Sequence, residues 1–384
     1  MRLDTLDMSL YSSRDKEIAI ERYTALGLPT KKSEAYRYFD TKSLLAKEYE
    51  TLEYPTPEIQ EGEKVEIVDG VVISAPKGLR IYYEAGHEVD GEHFDALYYL
   101  GHILSTHVIK IEIDGDAQIE IEHRYTQSNA LIHYRIVLVN QSNRHASVYE
   151  HFAQSDIHDS LVLYGYDMEI APDSTLRMIK EQTLSQESYA VIASHKISVA
   201  KQANMILRTF DFAGGDGLQL LKIDLDTRAT IEASHLLYSN ATSRRGTVSA
   251  IVHQGEHSHS KQEAKSILDA NARGIFDALI KVEASAKHTK AVQNSNAILL
   301  HEKAYMASKP QLEIYIDELE ASHGATTGQL SQEALFYLQS RGLSYDEARK
   351  MLVMAFANTL IEKIKDARYQ KRIQEAFEMV FYRK

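Results

Sequence analysis

With 384 residues, 44% of them hydrophobic, the chain is long enough for one large domain with appendages or for two or three ordinary ones, and a buried core is assured. A net charge of -12, with Lys and Arg clustered only in short pairs, excludes a nucleic-acid or anionic-membrane surface as the main partner. The absence of cysteine excludes disulfides, thiolate zinc sites, a cysteine nucleophile and a permanent cysteine-ligated cluster, so any metal must be held by His, Asp or Glu.

In chain order, Ser12 with Asp15 three residues on predicts a capping box and a helix to Leu26, closed by Gly27 and Pro29. A second, polar helix is expected over Ser33–Lys47, then a linker around Pro55 and Pro57. Met1–Ser12 mixes charges into what would have to be an apolar signal core, and no apolar run approaches the roughly 20 residues of a bilayer span. A cytoplasmic protein is expected.

From Val65 to Thr326 the pattern turns to short alternating segments. Ile109, Ile111 and Ile113 alternate with Lys110 and Glu112, and Ile119 and Ile121 flank Glu120. Similar segments recur at 132–139, 161–166, 205–212, 218–225, 229–237, 276–282 and 312–316, which predicts successive strands with few helices between them. A sandwich, a barrel or a stacked coil of strands all fit. A sandwich would be full well before this much chain, whereas a solenoid adds rungs without a larger core, but no crisp repeat separates the two.

After the segment ending at Ile316, the polar stretch Ser322–Gly328 reads as a turn. Ser331 then caps a helix carrying Leu335, Phe336 and Leu338, stopped by Gly342. Ser344 and Glu347 form a second capping box, followed by Leu352, Phe356, Leu360 and Ile364 at four-residue spacing, and a last helix carries Ile373, Phe377 and Val380.

Two glycine-rich segments invite a phosphate-binding reading. Gly324-Ala-Thr-Thr-Gly328 lacks the glycine spacing and the following Lys of a phosphate loop, and Gly214-Gly-Asp-Gly217 reads as a turn. His257, His259 and Glu263 have the spacing of a cupin metal triad, which makes a cupin-type metal-dependent enzyme the alternative function. The glycines that cupins place around that motif are missing, and with 17 histidines in the chain exposed strand-edge imidazoles are the simpler reading. His323, near Asp317, Glu318 and Glu320, reads most plainly as a loop histidine donating to a carboxylate.

Lys309-Pro-Gln-Leu-Glu-Ile314, the acidic pair Asp317 and Glu318, Ser322-His-Gly-Ala-Thr326 and Phe336-Tyr-Leu-Gln-Ser-Arg-Gly342 together resemble the SufB/SufD family of iron-sulfur cluster assembly proteins, in its SufD branch. Gly27–Phe39 is similar to the family's N-terminal element, with Tyr36 where the family has Trp, and Ala272-Arg-Gly-Ile-Phe276 to its Ala-Arg-x-x-Phe element. The resemblance implies a mainly β protein: an N-terminal helical region and linker over 1–60, a right-handed parallel β-helix over 61–328 and a C-terminal helical domain over 329–384. It further implies a non-catalytic scaffold subunit that pairs with a SufB-like subunit, or with itself in isolation. The C-terminal helices would dock a SufC-like ABC-type ATPase, with Leu335, Phe336, Tyr337, Arg341 and Tyr345 as the contacting residues. No cofactor would be held permanently. His323 with Asp317 would contribute to a transient iron or iron-sulfur site shared with the partner. One departure is Ala321, where many family members carry a cysteine; the absence of every thiol also separates the chain from the SufB branch.

Overall fold

A computed structural model describes residues 1–382 apart from 12, 31, 32, 34, 35, 88, 90–93 and 184–188. Helices α1 (Glu17–Leu26) and α2 (Thr41–Ala46) lead into short strands β1 (Glu50–Thr51), β2 (Gln60–Glu61), β3 (Val65–Val68), β4 (Val71–Ala75) and β5 (Arg80–Glu84), then helix α3 (Ala96–Leu104). From there strands alternate between two sheets. The first holds β6 (Val108–Ile113), β8 (Ala130–Asn140), β10 (Leu161–Ile170), β12 (Ala190–Val199), β14 (Gly217–Leu225), β16 (Arg244–His253), β18 (Arg273–Val282) and β20 (Tyr305–Ile314). The second holds β7 (Ala117–Arg124), β9 (His145–Phe152), β11 (Thr175–Gln182), β13 (Asn204–Asp211), β15 (Thr230–Ser239), β17 (His259–Leu268), β19 (Thr289–Leu299) and β21 (Leu319–Gly328). Each strand pairs in parallel with the strands two before and two after it, giving a β-solenoid of about seven turns.

Side-chain alternation builds the interior. Ile132, Tyr134, Ile136 and Leu138 of β8 point between the sheets with Val162, Tyr164, Tyr166 and Met168 of β10. Their alternates are buried as well, because helices cover the outer face of the first sheet: Leu131, Leu161, Leu163 and Ile192 pack with Leu97, Leu100 and Leu104 of α3. Strands buried on both faces read as mostly apolar runs, and β8 and β10 do so except where Arg135 and Asp167 pair with each other at 3.0 Å beneath α3.

At one corner of every coil a non-glycine residue takes the left-handed conformation: Asn143, Asp173, Gln202, Arg228, His257 and His288, with φ of 57–59°. The N–H of each donates to a carbonyl of the next coil, from Asn143 to Pro172 O (3.3 Å) through to His288 to Glu318 O (2.7 Å). These bonds recover part of the cost of that conformation and lock neighbouring coils together.

At its start the solenoid is closed by strands of another kind: β5 runs antiparallel to β6, and β3 with β4 forms an antiparallel pair beside β7. After β21 come α4 (Gln332–Ser340), α5 (Tyr345–Ile361) and α6 (Ala367–Tyr382). Ser331 caps α4 and the Ser344/Glu347 box opens α5, as the spacing predicts. Helices α5 and α6 fold back onto the outer face of the second sheet, where Val353, Leu360, Ile373 and Phe377 pack against Phe212, Tyr238 and Ile267. Around this seam Lys363 meets Glu263 (2.6 Å), Arg349 meets Asp269 (2.9 Å) and Arg368 meets Glu120 (2.8 Å), and the Tyr369 ring stacks on Tyr149 at 4.2 Å.

The N-terminal helices differ from expectation. α1 begins at Glu17 after a 3-10 turn at Arg14–Lys16, and the expected cap at Ser12 lies outside the described residues. Of Ser33–Lys47, only Thr41–Ala46 is α-helical, capped by the Asp40 carboxylate, and residues 34 and 35 lie outside the described residues. The strand reading passed over α3, whose sequence ALYYLGHIL is apolar on every side because every side is buried. No helix among the described residues is long and apolar enough to cross a membrane.

Candidate functional site

The solenoid ends at an open mouth. β20 and β21 are the last strands of their sheets, each paired on one side only. The polar stretch expected as a turn at Ser322–Gly328 is instead most of β21, paired residue by residue with β19. Its composition misleads because no further coil covers it, so its side chains stay wet while its backbone completes a ladder. Leu319 and Ala321 pack inward against Ile280, Val282 and Ala291, so the odd positions of β21 face the interior. His323 is one of them: an imidazole on the inward register of the final rung, exposed only because the rung has no successor.

Across the mouth β20 carries Pro310. The bonds from Tyr305 N to Ala272 O and from Tyr315 N to Val282 O assign the N–H groups of odd residues to the ladder with β18. Pro310, an even position, therefore has its missing N–H on the free edge. Ile314 (43% exposed) and Tyr315 (59%) leave apolar surface at the same rim.

Of the predicted metal donors, Asp317 sits in the turn between β20 and β21. His323 lies four residues beyond Leu319 along the strand, about 13 Å at the rise of a strand. The two do not converge. The acidic pair meets a different imidazole: Glu318 Oε2 is 3.8 Å from His288 Nε2, and the His288 ring stacks on His257 at 4.8 Å. The cupin-type arrangement is overturned. His257 occupies the left-handed corner before β17, His259 and Glu263 stand four residues apart on the outer face, and Glu263 is held by Lys363. Among the described residues no three His, Cys, Asp or Glu side chains come together closely enough to hold a metal ion. The described residues of this chain therefore could not hold an ion at the mouth with three such side chains of their own.

Behind His323 the interior stays polar. Its ladder neighbour is Gln293, and that of Gln293 is Gln262, both wholly buried. Gln262 Nε2 lies 2.9 Å from Ser249 Oγ and 3.1 Å from His235 Nε2, and His235 Nδ1 lies 2.8 Å from Thr209 Oγ1. Deeper still is an ionic cluster: His123 Nε2 is 2.8 Å from Glu150 Oε1, and Lys180 Nζ is 2.8 Å from both Glu150 Oε2 and His195 Nε2. Burial alone would raise the Glu150 pKa, but Lys180 and His123 outweigh it and hold the carboxyl well below its usual range. Burial pushes Lys180 down despite Glu150. Sequence reading missed this interior; its signal was the run of polar residues at inward positions of strands, Glu150, Lys180, His235, Gln262 and Gln293.

The five predicted docking residues divide. Phe336 (73% exposed), Tyr337, Arg341 and Tyr345 lie on the surface of the helical layer, with the Arg341 guanidinium 5.3 Å above the Tyr337 ring. Leu335 is buried and anchors α4 instead. Met351 of α5 adds to the same layer's exposed apolar surface.

The profile of the SUF system FeS cluster assembly, SufBD core domain, matches residues 123–356. The iron-sulfur cluster assembly protein SufD of Escherichia coli is 29% identical over 63% of this chain and 57% of its own length. An iron-sulfur cluster assembly SufBD family protein of Synechocystis is 29% identical over 54% of the chain and 46% of its own length. One of Pyrococcus horikoshii is 37% identical over 29% of the chain and 24% of its own length. The aligned part thus spans about half, or less, of these relatives.

Proposed function

The chain belongs to the SufBD family, in its SufD branch, and from that premise we propose that it is a scaffold subunit for building iron-sulfur clusters, with its mouth as the working end. The observation that carries this reading is the place of His323 on the inward register of an unpaired terminal rung. A SufB-like subunit would add its strands to the free edges of β20 and β21, gaining backbone hydrogen bonds and covering Ile314 and Tyr315. His323 would then lie at the junction and lend a neutral imidazole to iron or to the nascent cluster, both of which are cargo rather than resident cofactors. The partner would supply the thiolates, since this chain has none. Asp317, remote from His323 within the chain, would act at the rim, where its charge favours ferrous ion. The chain would work without turnover of its own, in the cytoplasm.

The exposed face of the helical layer supports a second contact. A SufC-like ATPase would dock on Phe336, Tyr337, Arg341 and Tyr345. Because α5 and α6 are cemented to the second sheet, a movement imposed there would pass to the solenoid. The test is co-expression of all three chains. Phe336→Asp with Tyr337→Asp should remove the ATPase from the purified complex and leave the SufB-like partner bound. His323→Ala should leave both bound and abolish cluster accumulation. If His323→Ala assembles clusters at the normal level, the reading fails.

A further inference from the structure

Gln293 stands beside His323 on the same inward face, on the rung before the last. It is wholly buried, and its Nε2 donates to Ala278 O across the interior at 2.9 Å. That bond fixes the amide's orientation and turns Oε1 away from Ala278. Oε1 is buried and has no hydrogen-bond partner. A buried acceptor without a donor bears the full loss of its hydration, so such an atom calls for a partner. The rung below does not provide one, because Gln262 Nε2 is committed to Ser249 and His235. Ser295, the next inward residue on the same strand, does not provide one either, since its hydroxyl makes no hydrogen bond. His323 is its ladder neighbour on the open side, its side chain leaving a backbone about 4.8 Å away on the same inward register, a spacing that the two side chains can bridge.

We propose that Gln293 is a positioning residue for His323. Its Oε1 accepts a hydrogen bond from one ring N–H and so selects one imidazole tautomer, and the lone pair of the other nitrogen points out of the mouth toward a divalent transition-metal ion. This rests on the reading of His323 as a metal donor. Alone, a neutral imidazole divides its time between two tautomers and many ring orientations; with a fixed acceptor behind it, the ligand is set before the ion arrives. Asn or Ser at position 293 would be too short to reach, and an apolar residue would leave the ring free.

The test uses the full chain labelled with ¹⁵N-histidine, with long-range ¹H–¹⁵N spectra at pH 8 and His323 assigned by its loss in His323→Ala. The wild type should show one tautomer at His323. Gln293→Glu, which keeps an acceptor at the same reach, should preserve it, and Gln293→Met, of similar length without an acceptor, should give averaged ring-nitrogen shifts. In a Co²⁺ titration, affinity should fall about tenfold in Gln293→Met and hold in Gln293→Glu. Averaged tautomers in the wild type would overturn the proposal without any variant, as would a single tautomer persisting in Gln293→Met. Co²⁺ binding unchanged by His323→Ala would instead overturn the donor role of His323, an outcome read separately from the tautomer.

Discussion

Between β8 and β12 the solenoid is filled by Tyr134, Ile136, Tyr164, Tyr166 and Ile197, none more than 3% exposed, around the Glu150–Lys180 pair, whereas on the last rungs of the second sheet, β19 and β21, the inward positions hold Ala291, Gln293, Ser295 and His323. The backbone is the same in both regions; only the filling changes. The early coils have a core on the inside and helices on the outside, so they resemble the middle of an ordinary domain. The late coils set these small and polar groups against a smaller apolar filling, Phe276, Ile280 and Val282 of β18, and draw more of their stability from backbone ladders and from the rungs before them. In a solenoid, stability and function can thus be placed at different points along one axis.

The largest way to stress that contrast is acid. Burial, reinforced by Arg208, holds His235 down at about 4; burial with His259 holds His253 at about 4; and burial with Lys16 and His107 holds His133 at about 3. Each is neutral in the folded chain and titrates near 6.5 when unfolded, so between those values the unfolded state binds more protons. Their contribution is fully present above pH 6.5 and is lost as pH falls toward 4, at about 1.4 kcal/mol per unit for each histidine. Urea unfolding at pH 7, 5.5 and 4.5 should show a steep fall, and His235→Gln should flatten it.

Next in size is Lys180→Met. It removes the main counter-charge of Glu150 inside the early coils and should cost about 3–5 kcal/mol by urea unfolding at pH 7. Core truncations then measure the two regions directly. Ile136→Ala, in the wholly buried filling, should cost about 2–5 kcal/mol, and Leu312→Ala, half-buried at the mouth, about 1 kcal/mol. Equal costs would mean that the late coils carry as much of the fold as the early ones. The smallest effect is expected for His323→Ala, at most about 1 kcal/mol, since the exposed imidazole packs against little and its loss withdraws only the donor proposed for Gln293 Oε1.

Much of this was legible in the chain. Alternation located the strands, and the Ser331 and Ser344 caps located the last helices, because both signals are local. The coil repeat was not legible, because it is a backbone repeat. Its corners hold Asn143, Asp173, Gln202, Arg228, His257 and His288, residues with nothing in common but a left-handed φ, at intervals of 26–31 residues. His323 was found through the motif around it, but its setting was misread. Ser-His-Gly-Ala-Thr has the composition of a turn, and only pairing with β19, distant in local pattern, makes it a strand. Asp317 and His323 are close in sequence and apart in space, while His288 reaches Glu318 from a full coil away. The parity that puts Gln293 behind His323 depends on strand register, which no local pattern reveals.

The two ends of the rod have a consequence for how many copies can join. β20 and β21 offer ten-residue free edges, whereas the opposite end finishes in β5, five residues long and antiparallel, and in the two-residue β2. A ten-residue edge finds no edge of matching length there, which disfavours threading of the rods head to tail into a fibre. Pairing through strand edges would thus be confined to one pole, and two such poles once joined would leave no long edge for a third.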